Sequence, residues 1–273
     1  MVRSNPHTHS DLVDGKSTAR EQVLKALELG FVSLGFSEHA HQAEIDVQYG
    51  LKSELRPEYI DQIRSLQCEF SDRLKIWLGF EVDRVSDEDC EGADYFIGAS
   101  HYFTDSNGEF AGVDGDDQKL AAFVASHFSG SWDKAVECYY DEYAQYICRR
   151  PPTIIAHFDL ICKSNRRLHW FDEDGMNLKA GMAAMERMIK YCDLMEVNTG
   201  GMARSNQPFP YPSPKLLAHW KKLGGRVIPS SDCHRYWQLD AGFNMVEEYM
   251  REAGFTEYFA LGSGSQLFEA QRL

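Results

Sequence analysis

At 273 residues with 43% hydrophobic content, the chain is long enough to bury a full core, and one domain spanning 1–273 is the expectation. A formal net charge of −14 argues against binding to nucleic acid, which requires a cationic face to displace phosphate counterions. No apolar run approaches the ~20 residues of a membrane span and no basic-then-apolar leader opens the chain, so a cytoplasmic protein with no membrane contact is expected.

The first predicted strand, Val2 to His7, is followed by a helix over Thr18 to Leu29, capped by Ser17 or Thr18 and ended by Gly30. A strand over Val32 to Ser37, a helix over Glu58 to Arg73 and strands over Lys75 to Phe80 and Tyr95 to Ser100 come next. The stretch from Thr104 to Asp117, rich in Gly, Asp and Asn, reads as a surface loop. Beyond it the pattern gives a helix over Trp132 to Cys148, a strand over Thr153 to Phe158, a helix over Leu178 to Tyr191 and a strand over Leu194 to Asn198. A helix over Ser213 to Leu223, opened by Ser-Pro and closed by Gly224-Gly225, leads to a last strand over Arg226 to Ser231. Alternating strands and helices imply a parallel sheet, and the lack of a dinucleotide fingerprint favours a barrel related to the (β/α)8 type over an open sheet. Seven scattered cysteines, odd in number and without a Cys-x-x-Cys pair, read as reduced thiols rather than disulfides or a thiolate zinc site.

Ionisable residues recur at one phase of this pattern. His7 and His9 end the first strand and, being two apart in extended chain, share a face. Glu38 and His39 end the second strand, Glu81 the third, His101 the fourth, His157 the fifth, and Asp232 with His234 the last. In a parallel barrel the C-terminal strand ends converge on one mouth. His127, His169 and His219 fall away from strand ends and receive no role; His41 is ambiguous. Imidazoles with carboxylates and no thiolate suit Zn, Mn or Fe, and Glu81 is the candidate bridge between two ions. Such a pair holds a hydroxide as nucleophile and clamps a transferring group.

His7-Thr-His9, Gly35-Phe-Ser-Glu-His39, Gly79-Phe-Glu81, Gly98-Ala-Ser-His101, Ala156-His157-Phe-Asp159, Glu196-Val-Asn198-Thr and Ser231-Asp232-Cys-His234 resemble the polymerase-and-histidinol-phosphatase (PHP) family, over roughly residues 3 to 245. Within the family the likeness is to its histidinol-phosphate phosphatases. The resemblance implies a distorted (β/α)7 TIM-like barrel with two to three divalent ions at the strand ends. By that likeness one ion takes His7, His9, Glu81 and Asp232, a second Glu81, His101 and His157, and a third His39, His234 and a residue following the first motif. Where many members have a histidine for that last ligand, this chain offers Asp14 or Asp11, and Asp14-Gly15 is the better match. Asp159, beside His157, is expected to support a ligand rather than be one.

The implied reaction is metal-dependent hydrolysis of L-histidinol phosphate, a small-molecule phosphomonoester, to L-histidinol and phosphate in histidine biosynthesis. A metal-bridging hydroxide is the expected nucleophile, with Asp232 or His234 donating a proton to the leaving alkoxide. The Gly-rich loop opened by Asn198 carries Arg204, whose planar fork suits phosphate, with Arg166 and Lys163 as rivals. Another PHP-type phosphoesterase acting on nucleotides or phosphopeptides, and a non-catalytic metal-binding domain, are the competing readings.

Overall fold

The computed structural model describes residues 1–42, 50–87 and 89–273. In chain order the strands are β1 (Ser4–Asn5), β2 (Ser33–His39), β3 (Lys75–Asp83), β4 (Tyr95–Ala99), β5 (Tyr102–Thr104), β6 (Phe110–Gly112), β7 (Ile154–Ile155), β8 (Leu194–Asn198), β9 (Arg226–Ser230), β10 (Glu257–Leu261) and β11 (Phe268–Arg272). The helices are α1 (Ala19–Glu28), α2 (Arg56–Glu69), α3 (Asp117–His127), α4 (Trp132–Arg149), α5 (Cys162–Leu168), α6 (Leu178–Met188), α7 (Gly200–Ser205), α8 (Pro214–Lys222) and α9 (Phe243–Glu252). Among the described residues none of these helices is long and apolar enough to cross a membrane.

Seven strands form one sheet in the order β1-β2-β3-β4-β7-β8-β9, every neighbouring pair parallel. The ring nearly closes just beyond the last strand, where Thr8 pairs in parallel with Cys233. At that seam His9 N–H donates to the Cys233 carbonyl at 2.9 Å, and Cys233 N–H donates to the His7 carbonyl at 3.0 Å. The two motifs richest in imidazoles are therefore stitched together by backbone hydrogen bonds.

Local chemistry explains the elements. Thr18 caps α1 in a reciprocal capping box with Glu21, and Gly30 at φ +73° lets the chain leave the helix. β2 is buried along its whole length, as expected of a strand covered on both faces. Inside the barrel Trp77, Tyr95, Ile97, Ile154, Leu194 and Ile228 form one cluster, and helix-facing residues such as Tyr139, Tyr143 and Trp220 form another outside it. A Cβ on Gly79 would fall 2.5 Å from the Tyr95 ring, so glycine there makes room for the tyrosine that fills the interior.

Two hairpins were not expected. The stretch read as a surface loop holds the antiparallel pair β5–β6, whose three-residue strands are outweighed in composition by the Asp105–Gly108 turn. The β10–β11 hairpin covers the opposite end of the barrel: Ser33 Oγ and Trp77 Nε1 donate to the carbonyls of Leu261 and Gly262 at 2.7 and 2.9 Å. Helices α3, α5, α7 and α9 also add to the expected set.

Candidate metal centre

All nine expected ligands meet at the mouth. His39 closes β2 and Glu81 lies in β3, while His7, His9, His101, His157, Asp232 and His234 occupy the segments just past their strands. His7, His9 and Glu81 are at most 1% exposed. Glu81 is the hub. Its Oε1 lies 2.7 Å from His157 Nε2 and 3.6 Å from His101 Nε2. Its Oε2 lies 2.9 Å from His39 Nδ1, 3.3 Å from His7 Nε2 and 3.5 Å from His9 Nε2. Asp232 Oδ1 is 3.3 Å from His9 Nε2 and 3.4 Å from His234 Nδ1.

Asp14, not the exposed Asp11, turns inward, with Oδ2 3.1 Å from His234 Nε2 and 3.7 Å from His39 Nε2. Gly15 makes that possible, since a Cβ there would sit 2.5 Å from the Ser10 carbonyl oxygen. Asp232 itself is held at φ +46°, a left-handed conformation that aspartate tolerates better than most residues. The potential ligands form four overlapping groups: His9, Asp14, His39 and His234; His7, His157 and Asp232; His7, His9 and Glu81; and His39, Glu81 and His101. Membership is thus more shared than the family resemblance implied, with His9 joining the Asp14 group and His39 serving two.

Two buried carboxylates aim these rings. Glu196 Oε2 accepts from His7 Nδ1 at 2.9 Å and Ser230 Oγ at 2.7 Å, leaving His7 Nε2 turned to the centre. Its Oε1 accepts from His157 N–H and Asn198 Nδ2 at 2.7 Å each. Asp83 Oδ2 lies 3.0 Å from His101 Nδ1. Carboxylates on the far nitrogen of a histidine commonly fix its tautomer for metal binding. Neither residue received a role from sequence, although Asp83, two positions after Glu81 on one strand, shares its face.

The donor set fits divalent ions. His7 Nε2, both ring nitrogens of His9, Asp14 Oδ1 and Glu81 Oε2 are buried without a hydrogen-bond partner. Buried polar atoms normally find one, and a cluster of such nitrogens and oxygens facing one another is what a cation would satisfy. Cys233 stays outside the set: burial pushes its thiol up to about 12, and Sγ donates to the Arg235 carbonyl at 3.0 Å.

Electrostatics point the same way. Burial disfavours a charged His7, but Glu196, Asp232 and Glu81 outweigh it and hold its pKa well above the usual imidazole range. His9 and His39 are also raised against burial, and His101 is raised to about 9 by Glu81 and Asp83. Conversely, burial works against charge on Glu81 and Asp232, yet neighbouring cations keep both well below the carboxylate range. The cluster attracts positive charge, and protons compete with metal for the imidazoles. Raised pKa values mean protons must leave on binding, so apparent affinity should climb as pH rises toward about 9. Titration calorimetry in two buffers of different protonation enthalpy checks this; proton-neutral binding would contradict it.

The phosphate candidates divide. Arg204, in α7, reaches the centre: one guanidinium nitrogen is 2.6 Å from Asp232 Oδ2, and the other donates to the Asp232 carbonyl and lies 3.2 Å from His234 Nδ1. Arg166 is engaged instead with Asp159 at 2.8 Å and Glu173 at 3.3 Å, and its side chain is only 7% exposed. Asp159 thus supports Arg166 rather than His157. Asn198 is fully buried, accepting from Gly200 N–H while donating to Glu196, so it acts on the centre through Glu196. His127, in α3, pairs with Asp105, and His219, in α8, pairs with Glu186, both away from the cluster.

A nearly closed parallel barrel with imidazoles and carboxylates gathered at its mouth defines an α/β-barrel protein built to hold divalent metal ions. A family model described as the PHP domain matches residues 5–200. The chain belongs to the PHP domain family. Relatives along most of its length include a probable histidinol-phosphatase of Schizosaccharomyces pombe, 23% identical over 96% of this chain and 90% of that protein. A probable histidinol-phosphatase of Deinococcus radiodurans is 25% identical over 91% of this chain and 92% of its own length. In fold, the chain resembles the crystal structure of histidinol phosphate phosphatase from Lactococcus lactis complexed with zinc, L-histidinol and phosphate. That likeness has a TM-score of 0.65 at 19% identity, over 96% of this chain and 97% of that one.

Proposed function

We propose that the protein is a metal-dependent phosphomonoesterase that hydrolyses L-histidinol phosphate to L-histidinol and phosphate. The observation that carries the chemistry is the buried set of mutually close imidazole and carboxylate atoms, several of which have no hydrogen-bond partner. The choice of substrate is supported by the relatives named histidinol-phosphatase, which align along nearly the whole chain.

Two to three ions are assigned to the overlapping groups around Glu81, with His9, Asp14, His39 and His234 on one side and His101 and His157 on the other. Zinc is favoured by the complexed Lactococcus structure; manganese and iron suit the same donors. Bound divalent ions supply positive charge against the phosphoryl oxygens and make water a competent nucleophile at neutral pH. Asp232, kept ionised by Arg204, His7 and His234, is not a standing acid, so any proton it gives must first be taken up. It takes a proton from the attacking water and returns it to the leaving alkoxide. His234, whose pKa burial and His9 lower, stays neutral and serves as a ligand.

Arg204 offers its remaining donors to phosphate from beside Asp232, and its side chain is 32% exposed, open to the mouth. Because it touches both the ester and the base, Arg204→Ala should raise KM and also lower kcat, with kcat/KM falling about 10- to 150-fold. Steady-state kinetics with Arg204→Lys alongside would show it; wild-type kcat/KM in the alanine variant would remove the residue from the site.

The function is tested by phosphate release from a panel of esters with metal-reconstituted enzyme. L-histidinol phosphate should give the highest kcat/KM. A faster nucleotide or phosphopeptide would reassign the substrate, and inertness toward every ester would leave a non-catalytic domain.

A further inference from the structure

The β5–β6 hairpin carries the chain back to the mouth. Val113 N–H donates to the His101 carbonyl at 2.8 Å, so Asp114 stands one residue from the backbone of a cluster histidine. Lys163, in α5, anchors this turn by donating to the Asp114 carbonyl at 2.9 Å and forms an ion pair with Asp114 Oδ2 at 3.5 Å, longer than a hydrogen bond to the carboxylate. A second tie, Arg167 to Asp117, fixes the same segment to α5. Among the described residues neither side-chain oxygen of Asp114 accepts a hydrogen bond, and the side chain is 36% exposed.

An anionic acceptor with unused capacity at the edge of a phosphate site does not serve the phosphate, which it repels. It suits a cation carried on the organic half of the ester. We propose that Asp114 is a specificity residue that accepts a hydrogen bond from an ammonium group on an aminoalkyl phosphomonoester. The proposal rests on the phosphomonoesterase reading above and deepens it. In L-histidinol phosphate the ammonium is on the carbon next to the phosphate-bearing methylene, so this cation enters the mouth together with the phosphate. The pairing exists before and during reaction, so its loss falls mainly on KM.

The test compares L-histidinol phosphate with 3-(imidazol-4-yl)propyl phosphate, which lacks only the ammonium, on metal-loaded wild-type protein, Asp114→Asn and Asp114→Glu. Wild type should favour the aminated ester. Asp114→Asn should cut that preference by about 10-fold or more through KM, and Asp114→Glu should keep part of it. Calorimetric binding of L-histidinol should weaken in parallel in the asparagine variant. An unchanged preference, or equal losses on both esters, would overturn the role of Asp114 while leaving the phosphomonoesterase reading intact. Wild type that ignores both esters but cleaves a nucleotide would overturn the substrate reading and this proposal together.

Discussion

Glu81→Gln should lower kcat by about 10³-fold or more and reduce bound metal by at least one ion per chain. The reason is geometric. Both carboxylate oxygens face imidazoles, His157 and His101 on one side and His39, His7 and His9 on the other. Whichever way a glutamine turns, its amide nitrogen points a donor at positions that need an acceptor or a ligand. Metal analysis and steady-state kinetics on the same preparation give both numbers. His127→Ala and His219→Ala, whose rings pair with Asp105 and Glu186, serve as controls and should stay within about 3-fold of wild type. Equal losses in the controls, or full activity in Glu81→Gln, would mean that the strand-end cluster is not the reaction centre.

Glu196 gives the second large effect, without belonging to any ligand group. Its four partners are His7 Nδ1, Ser230 Oγ, His157 N–H and Asn198 Nδ2, and it is completely buried. Truncation to alanine strands all four and should cost about 3–5 kcal/mol of stability, read from urea unfolding. The isosteric Glu196→Gln is more informative. With its amide nitrogen toward His7, the ring must carry its proton on Nε2, the atom that otherwise faces Glu81. With the amide reversed, the donor meets His157 N–H and Asn198 instead. Metal affinity should fall about 10- to 100-fold while the fold is retained. Wild-type affinity in the glutamine variant would show that the His7 tautomer does not matter.

Much of this centre was legible because one physical rule, convergence of parallel strand ends, turns a sequence phase into a place. That rule brought His7, Glu81, His157 and Asp232 together from segments more than 200 residues apart. It says less about partners. Asp83 and Glu196 look in the sequence like strand residues of no stated role, since their work depends on which ring nitrogen they meet. The Gly-rich segment favours Arg204 over Arg166 in the sequence, but what separates them physically, Asp159 holding one and Asp232 the other, is visible only in the structure. The extended segment at His7 is shorter as a strand than its apolar pattern suggests, because its pairing passes to the Thr8–Cys233 seam. The β10–β11 hairpin escaped notice for a different reason: β11 is largely half-exposed, so its burial pattern is weak, and what it caps is visible only once the barrel is built.

The central claim is that the gathered imidazoles and carboxylates hold the metal on which hydrolysis depends. Protein stripped by chelation should be inert toward L-histidinol phosphate, and stepwise addition of zinc or manganese, with bound metal counted per chain, should restore phosphate release that levels off at two to three ions. Full turnover by rigorously metal-free protein would contradict the account.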